Sequence, residues 1–166
     1  MKEPHIFDST PLIYLGKVGI LSKIKEISSR NSIPHSVFQE VVVIGKDKNE
    51  PEAFHIEELI QKGIFQICKV KEKMESLPKN LHISLADRDV VTLAMQLKGR
   101  AITDDEMVRS IAKMKGIKVG GTVYILLKLV ESQVISKSQC KEVLDKIIHQ
   151  GWYCSAQLYS DILQKL

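Results

Sequence analysis

The stretch His5-Ile6-Phe7-Asp8-Ser9-Thr10-Pro11 decides how the rest of the chain reads. Its first residues suit a short buried strand that ends on Asp8. A helix entry follows, with Ser9 expected as the hydroxyl cap and Pro11 at an early helical position, where a missing N–H costs nothing. The same arrangement, a strand handing carboxylates to a helix start, recurs in Ala101-Ile102-Thr103-Asp104-Asp105. Two further acids border apolar stretches: Glu40 in Val37-Phe38-Gln39-Glu40-Val41 and Asp87 in Leu85-Ala86-Asp87-Arg88-Asp89. Carboxylates repel one another, and gathering several costs stability unless a cation neutralises them. Hard divalent ions take oxygen ligands of this kind and activate water against a phosphodiester. The residues by themselves point to a metal-dependent nuclease.

Working outward, Ile20, Leu21, Ile24 and Ile27 extend the first helix to about Ser28. Ile33-Pro34 marks a second strand, and Ser36 is expected to cap a helix carrying Val37, Glu40, Val41 and Ile44, with Glu40 on its apolar side. A helix over roughly 51–62 precedes Ile64-Phe65-Gln66-Ile67-Cys68-Lys69-Val70, whose alternation suits an edge strand. Ser84 opens a helix with Asp87 in its first turn, and Asp104-Asp105 begin the next, which Gly116 stops. Ile117-Lys118-Val119 forms another strand, and Gly120-Gly121-Thr122 turns into an apolar helix over 123–130. Ser136 with Gln139 makes a capping box, and a last helix starts near Ser155. Short strands alternating with helices imply an α/β fold: three layers, α/β/α, around a short central parallel sheet, with a helix-rich C-terminal end. Ligands in such sheets bind beyond the carboxyl ends of the strands.

The 166 residues, 44% of them hydrophobic, suffice for one compact domain over 1–166, with the helices of about 136–166 appended. A net charge of +4 permits a polyanionic partner without requiring one. Three widely spaced cysteines suggest neither a zinc knuckle nor a disulfide framework, and Cys68 and Cys140 are expected as buried thiols. No apolar segment approaches the length of a bilayer span and no basic-then-apolar leader precedes the first strand, so no membrane contact and a cytoplasmic location are expected.

Each acid also has a plainer explanation. Aspartate in a first turn is favoured by capping and by the helix dipole, which covers Asp87, Asp89, Asp104 and Asp105 one by one. It fits Asp8 poorly, because a strand end buried among apolar neighbours disfavours an unpaired carboxylate. A phosphatase of the haloacid-dehalogenase type would need an acid two residues after Asp8, where Thr10 stands; no GxxxxGK[ST] phosphate loop occurs, and the five histidines have no ligand spacing and suit surface or helix-end positions.

With these stretches in hand, the sequence resembles the PIN-domain family of metal-dependent nucleases, VapC-type toxins among them. The likeness runs through residues 6–15, 33–41, 85–94 and 102–105 in the family's order and covers most of residues 5 to 130. The remainder, with Gly121-Thr122-Val123 and Gly151-Trp152-Tyr153, is similar to stand-alone prokaryotic members that carry extra C-terminal helices. The resemblance implies Asp8, Glu40, Asp87 and Asp105 as ligands of Mg²⁺ or Mn²⁺, and Asp104 and Asp89 as supporting carboxylates. It implies Ser9, Thr10 and Thr103 as hydroxyls that orient them or a water. The activity implied is cleavage of RNA, with the toxin of a pair with a small antitoxin protein as a further reading; the alternative is a non-catalytic module that binds RNA or a protein. Arg88 and Arg109, nearest the acids, are candidate substrate contacts, Arg109 alternatively an ion-pair partner of Asp105, with Lys46, Lys48, Lys71, Lys73 and Lys79 at the rim. The apolar faces near Leu158, Tyr159, Ile162, Leu163 and Leu166 suggest a homodimer.

Overall fold

The computed structural model describes residues 3–71, 77, 78 and 80–166. Lys73 and Lys79 lie outside the described residues. Five short parallel strands form one sheet: β1 His5–Phe7, β2 Asn31–Pro34, β3 Gln66–Cys68, β4 Arg100–Ile102 and β5 Val119–Gly120. Their spatial order is β3-β2-β1-β4-β5, so β1 is central and the chain reverses its direction of travel between β1 and β4. Register is set by His5 opposite Asn31 on one side and Arg100 on the other. β3 is an edge strand, as its alternation predicts, although only Gln66–Cys68 of the expected longer run is paired.

The connecting helices are α1 Ser9–Lys17, α2 His35–Phe38, α3 Gly45–Asp47, α4 Pro51–Gln61, α5 Leu85–Leu97 and α6 Glu106–Met114. The helices α7 Thr122–Glu131, α8 Lys137–His149 and α9 Ala156–Lys165 complete the chain. α5 packs across β1, β2 and β4 with α6 beside it, while α1 packs with α4, α7 and α8. Right-handed crossovers put helices on opposite faces when the chain reverses, which accounts for the three layers. The core runs through the sheet, where the Phe7 ring meets Phe65 edge-on at 5.3 Å.

Local details correct several expectations. α1 stops at Lys17 instead of running to Ser28, because Gly19 takes a left-handed backbone (φ 71°); the apolar residues beyond it form a separate 3₁₀ turn, Leu21–Glu26. The cap of α1 is Asp8, whose carboxylate accepts the Ser9 N–H at 2.7 Å; Ser9 is the first helical residue. Ser36 does not cap α2 either, since Pro34 occupies that place and the Ser36 hydroxyl donates to Asp89 at 2.6 Å. Cys140 is buried, but Cys68 is only half-buried at the sheet edge. His5 is buried too, its ring edge-on to Phe7 and Tyr124, because β1 is covered on both faces. In α9, Ile162 is buried and Tyr159 and Leu166 pack against the core, so most of that apolar face completes the monomer. Among the described residues no helix is long and apolar enough to cross a membrane.

Candidate metal centre

A parallel strand delivers the residue after it to the carboxyl edge of the sheet, and the following helix begins there. Asp8 follows β1 and Thr103-Asp104-Asp105 follow β4, so they flank the point where the chain reverses direction, the usual place for a ligand crevice. Asp8 is 5% exposed. Its Oδ1 accepts the Ser9 N–H, and its Oδ2 accepts the Thr103 hydroxyl at 2.6 Å. The same Thr103 oxygen accepts the Asp105 N–H at 3.2 Å, so one hydroxyl ties the two acids together. Burial pushes the Asp8 carboxyl up to about 6; the hydrogen bonds from Thr103 and Ser9 oppose this, and the carboxylates of Asp87 and Glu40 add to it.

Asp87 comes to the site from the first turn of α5. Its Oδ2 accepts the Ser84 N–H while Ser84 Oγ accepts the Asp87 N–H, a reciprocal capping box. Asp105 is the cap of α6, accepting the Val108 N–H at 2.9 Å, and is exposed. Glu40 is exposed rather than on an apolar face, because residues Gln39–Ile44 form a π-helical stretch whose wider turn displaces it from the line of Val37 and Val41. Asp87 and Glu40 thus act electrostatically on Asp8, and Asp8, Thr103 and Asp105 are linked by hydrogen bonds. Thr10 lies half-buried in the first turn of α1, and the Ser9 hydroxyl beside it is buried with no hydrogen-bond partner among the described residues.

The other candidates point elsewhere. Asp89 accepts the Ser36 hydroxyl and faces an open groove of about 670 Å³, lined also by His35, Glu40, Ile44, Lys69 and Leu85. Asp104 turns to α7 and to Trp152. Arg88 donates to the carbonyls of Leu77, Pro78 and Leu81, and Arg109 to those of Thr103 and Gly120, so both guanidinium groups hold backbone turns. Lys46 is paired with Glu57. Among the residues that line or brace the site, Lys69 has no signal in the sequence, Ser36 is expected only as a helix cap, and Trp152 stands out only as the sole tryptophan.

The donor set fits a hard divalent cation. It offers carboxylate and hydroxyl oxygens alone, and the raised Asp8 carboxyl, with like charges facing it, is the group a cation would relieve. Among the described residues no three His, Cys, Asp or Glu side chains converge closely enough to hold one ion. No curated protein matches the chain at a significant level. A protein-family model described as a PIN domain does match, over residues 4–166, which includes the C-terminal helices as well as every acid above. The PIN domain is a nuclease-type fold, typically dependent on a divalent metal. A five-stranded parallel sheet reversing at β1, acids at its carboxyl edge and a match across the whole length agree: the chain belongs to the PIN-domain family.

Proposed function

We propose that the protein is a divalent-metal-dependent endoribonuclease that hydrolyses RNA phosphodiester bonds. The observation that carries this reading is Asp8, a carboxyl group buried at the end of the central strand and destabilised there by burial and by two neighbouring acids. A structural residue at that place gains nothing from such strain, whereas a metal ligand does. Asp8, Glu40, Asp87 and Asp105 would hold Mg²⁺ or Mn²⁺. When bound, such an ion supplies Lewis acidity at the phosphate and lowers the pKa of an attacking water. The protein's own part is orientation: the Ser9 N–H and the Thr103 hydroxyl fix both Asp8 oxygens, and Thr103 holds the Asp105 backbone in the same bond chain. The groove beside Glu40, with His35 and Lys69 on its walls, gives the flanking nucleotides a place beyond the acids.

A toxin role with a small antitoxin partner, and a homodimer, are finer readings within the same proposal; the neighbouring reading frame and light scattering test them. The second reading, a non-catalytic module that binds RNA or a protein, draws support from the exposed, unconverged positions of Glu40 and Asp105. Incubation of purified protein with single-stranded and structured RNAs, and with DNA, in Mn²⁺ or EDTA separates the two. Cleavage that needs the metal and disappears in Asp8→Asn is the expected result. Cleavage indifferent to EDTA removes the metal mechanism, and binding without any cleavage selects the module.

A further inference from the structure

Asp104 sits between two parts of the acid centre yet faces away from it. Its Oδ1 accepts the Thr122 N–H at 2.7 Å, and its Oδ2 accepts the Thr122 hydroxyl at 2.6 Å and the Trp152 indole N–H at 3.0 Å. Gly121 is held small by the same approach: a Cβ there would collide with Asp104 Oδ1 and lie 2.9 Å from the Thr103 carbonyl oxygen. Thr122 is fully buried and Trp152 is 7% exposed, so these bonds to a carboxylate form where water competes little. Trp152 reaches Asp104 across 48 residues of sequence, from the segment joining α8 to α9.

The residues on either side of Asp104 belong to the acid centre. Thr103 donates to Asp8, and Asp105 caps α6 with its N–H on the Thr103 hydroxyl. Each is one peptide unit from Asp104, so a side chain pinned by three donors leaves the Thr103–Asp105 turn few conformations. Arg109 braces that turn from the other side through the Thr103 and Gly120 carbonyls, at 3.0 Å each. We propose that Asp104 is a positioning residue through which Trp152 couples the C-terminal helices to the acid centre. Asp104 ligates nothing itself; it fixes the backbone of the turn that carries Thr103 and Asp105. The coupling rests on the reading of that centre as a divalent-ion site. Loss of a group that orients a ligand typically costs 10- to 100-fold in metal affinity, and that is the scale expected here.

The chain has one tryptophan, so emission excited beyond the tyrosine band reports on the surroundings of Trp152. EDTA-stripped full-length protein is titrated with Mg²⁺ and followed by melting temperature and by Trp152 emission. Both are expected to change with one midpoint. Trp152→Phe keeps a ring in the site and deletes the N–H; its Mg²⁺ midpoint, read by melting temperature, is expected to rise about 10- to 100-fold. Asp104→Asn is expected to raise it on the same scale, because asparagine keeps one acceptor oxygen where two are used, so its NH₂ group must face either the Trp152 N–H or the Thr122 N–H. A Trp152→Phe midpoint equal to wild type overturns the coupling and leaves the metal centre standing. So does Mg²⁺ that raises the wild-type melting temperature without altering Trp152 emission, a measurement that decides the matter should the variants fail to fold. No Mg²⁺ response in the wild type overturns the metal centre and the coupling with it.

Discussion

Asp8→Asn should change stability with opposite signs at two pH values, and the structure sets the size. The Asp8 carboxyl is raised from 3.8 to about 6 in the folded chain, so the native state holds its proton more tightly than the unfolded state. Its contribution is therefore fully present below 3.8 and is lost as pH rises through about 6, a loss of about 3 kcal/mol at neutral pH. His5 runs the other way. Burial, the first cause, lowers it from 6.5 to about 4, so stability is present above 6.5 and falls by about 3 kcal/mol as pH drops through 4. Between pH 4 and 6 the two slopes nearly cancel in the wild type.

Asparagine at position 8 keeps an oxygen for the Ser9 N–H but meets the Thr103 hydroxyl with an NH₂ group, and Thr103 Oγ1 already accepts the Asp105 N–H. That mismatch costs about 1 kcal/mol. In EDTA, Asp8→Asn should thus be about 2 kcal/mol more stable than wild type at pH 7.5, roughly 4–8 °C in melting temperature for a chain of this size. At pH 4 it should be about 1 kcal/mol less stable. It should also acquire an acid lability that the wild type lacks, because His5 is no longer offset. Calorimetric or circular-dichroism melts from pH 4 to 8 read the difference directly, all other titrations being common to both proteins. A difference between the two proteins that stays constant across this range would refute the reasoning.

Millimolar Mg²⁺ or Mn²⁺ should stabilise the wild type by mass action; at a hundred times the dissociation constant the gain is about 2.7 kcal/mol, and Asp8→Asn should respond less. Asp87→Asn and Asp105→Asn should lose RNA cleavage by orders of magnitude while melting within about 1 kcal/mol of wild type, because asparagine keeps a side-chain oxygen for the Ser84 and Val108 N–H groups; paired activity and melting measurements check the split. Asp89→Asn, whose carboxylate serves Ser36, should retain most activity in the same assay. Phe7→Ala, at a fully buried ring packed on Phe65, should cost about 3–5 kcal/mol, measured by chemical denaturation.

What was legible in the sequence was what short range decides. The helix start at Ser84 and the capping box at Ser136 each close within three residues, and both are present. The Asp8 and Thr103 positions follow strands whose apolar residues announce them. Glu40 escapes a 3.6-residue period because the backbone there makes a π-helical turn, a local widening with no compositional signature. At the cap of α1 serine and aspartate serve equally well, and only the backbone reveals which of the adjacent Asp8 and Ser9 is extended. The work of Asp104 was hidden by distance, its partners lying 18 and 48 residues away.

The plain and the functional explanations of the acids turn out to be one arrangement. α1, α5 and α6 each follow a parallel strand or its loop, so their N-termini gather at the carboxyl edge of the sheet. Each N-terminus carries partial positive charge and unpaired N–H groups that favour a carboxylate. Asp8, Asp87 and Asp105 take those places, bonded to the N–H groups of Ser9, Ser84 and Val108. The fold thereby offsets part of the repulsion that an acid cluster creates, and leaves the rest concentrated on buried Asp8. Were the acids only caps, Asn or Ser would serve at all three helices and burial at Asp8 would select a neutral residue. Retaining a carboxyl group there, where ionisation is opposed by burial and by Asp87 and Glu40, makes sense if a cation completes the site.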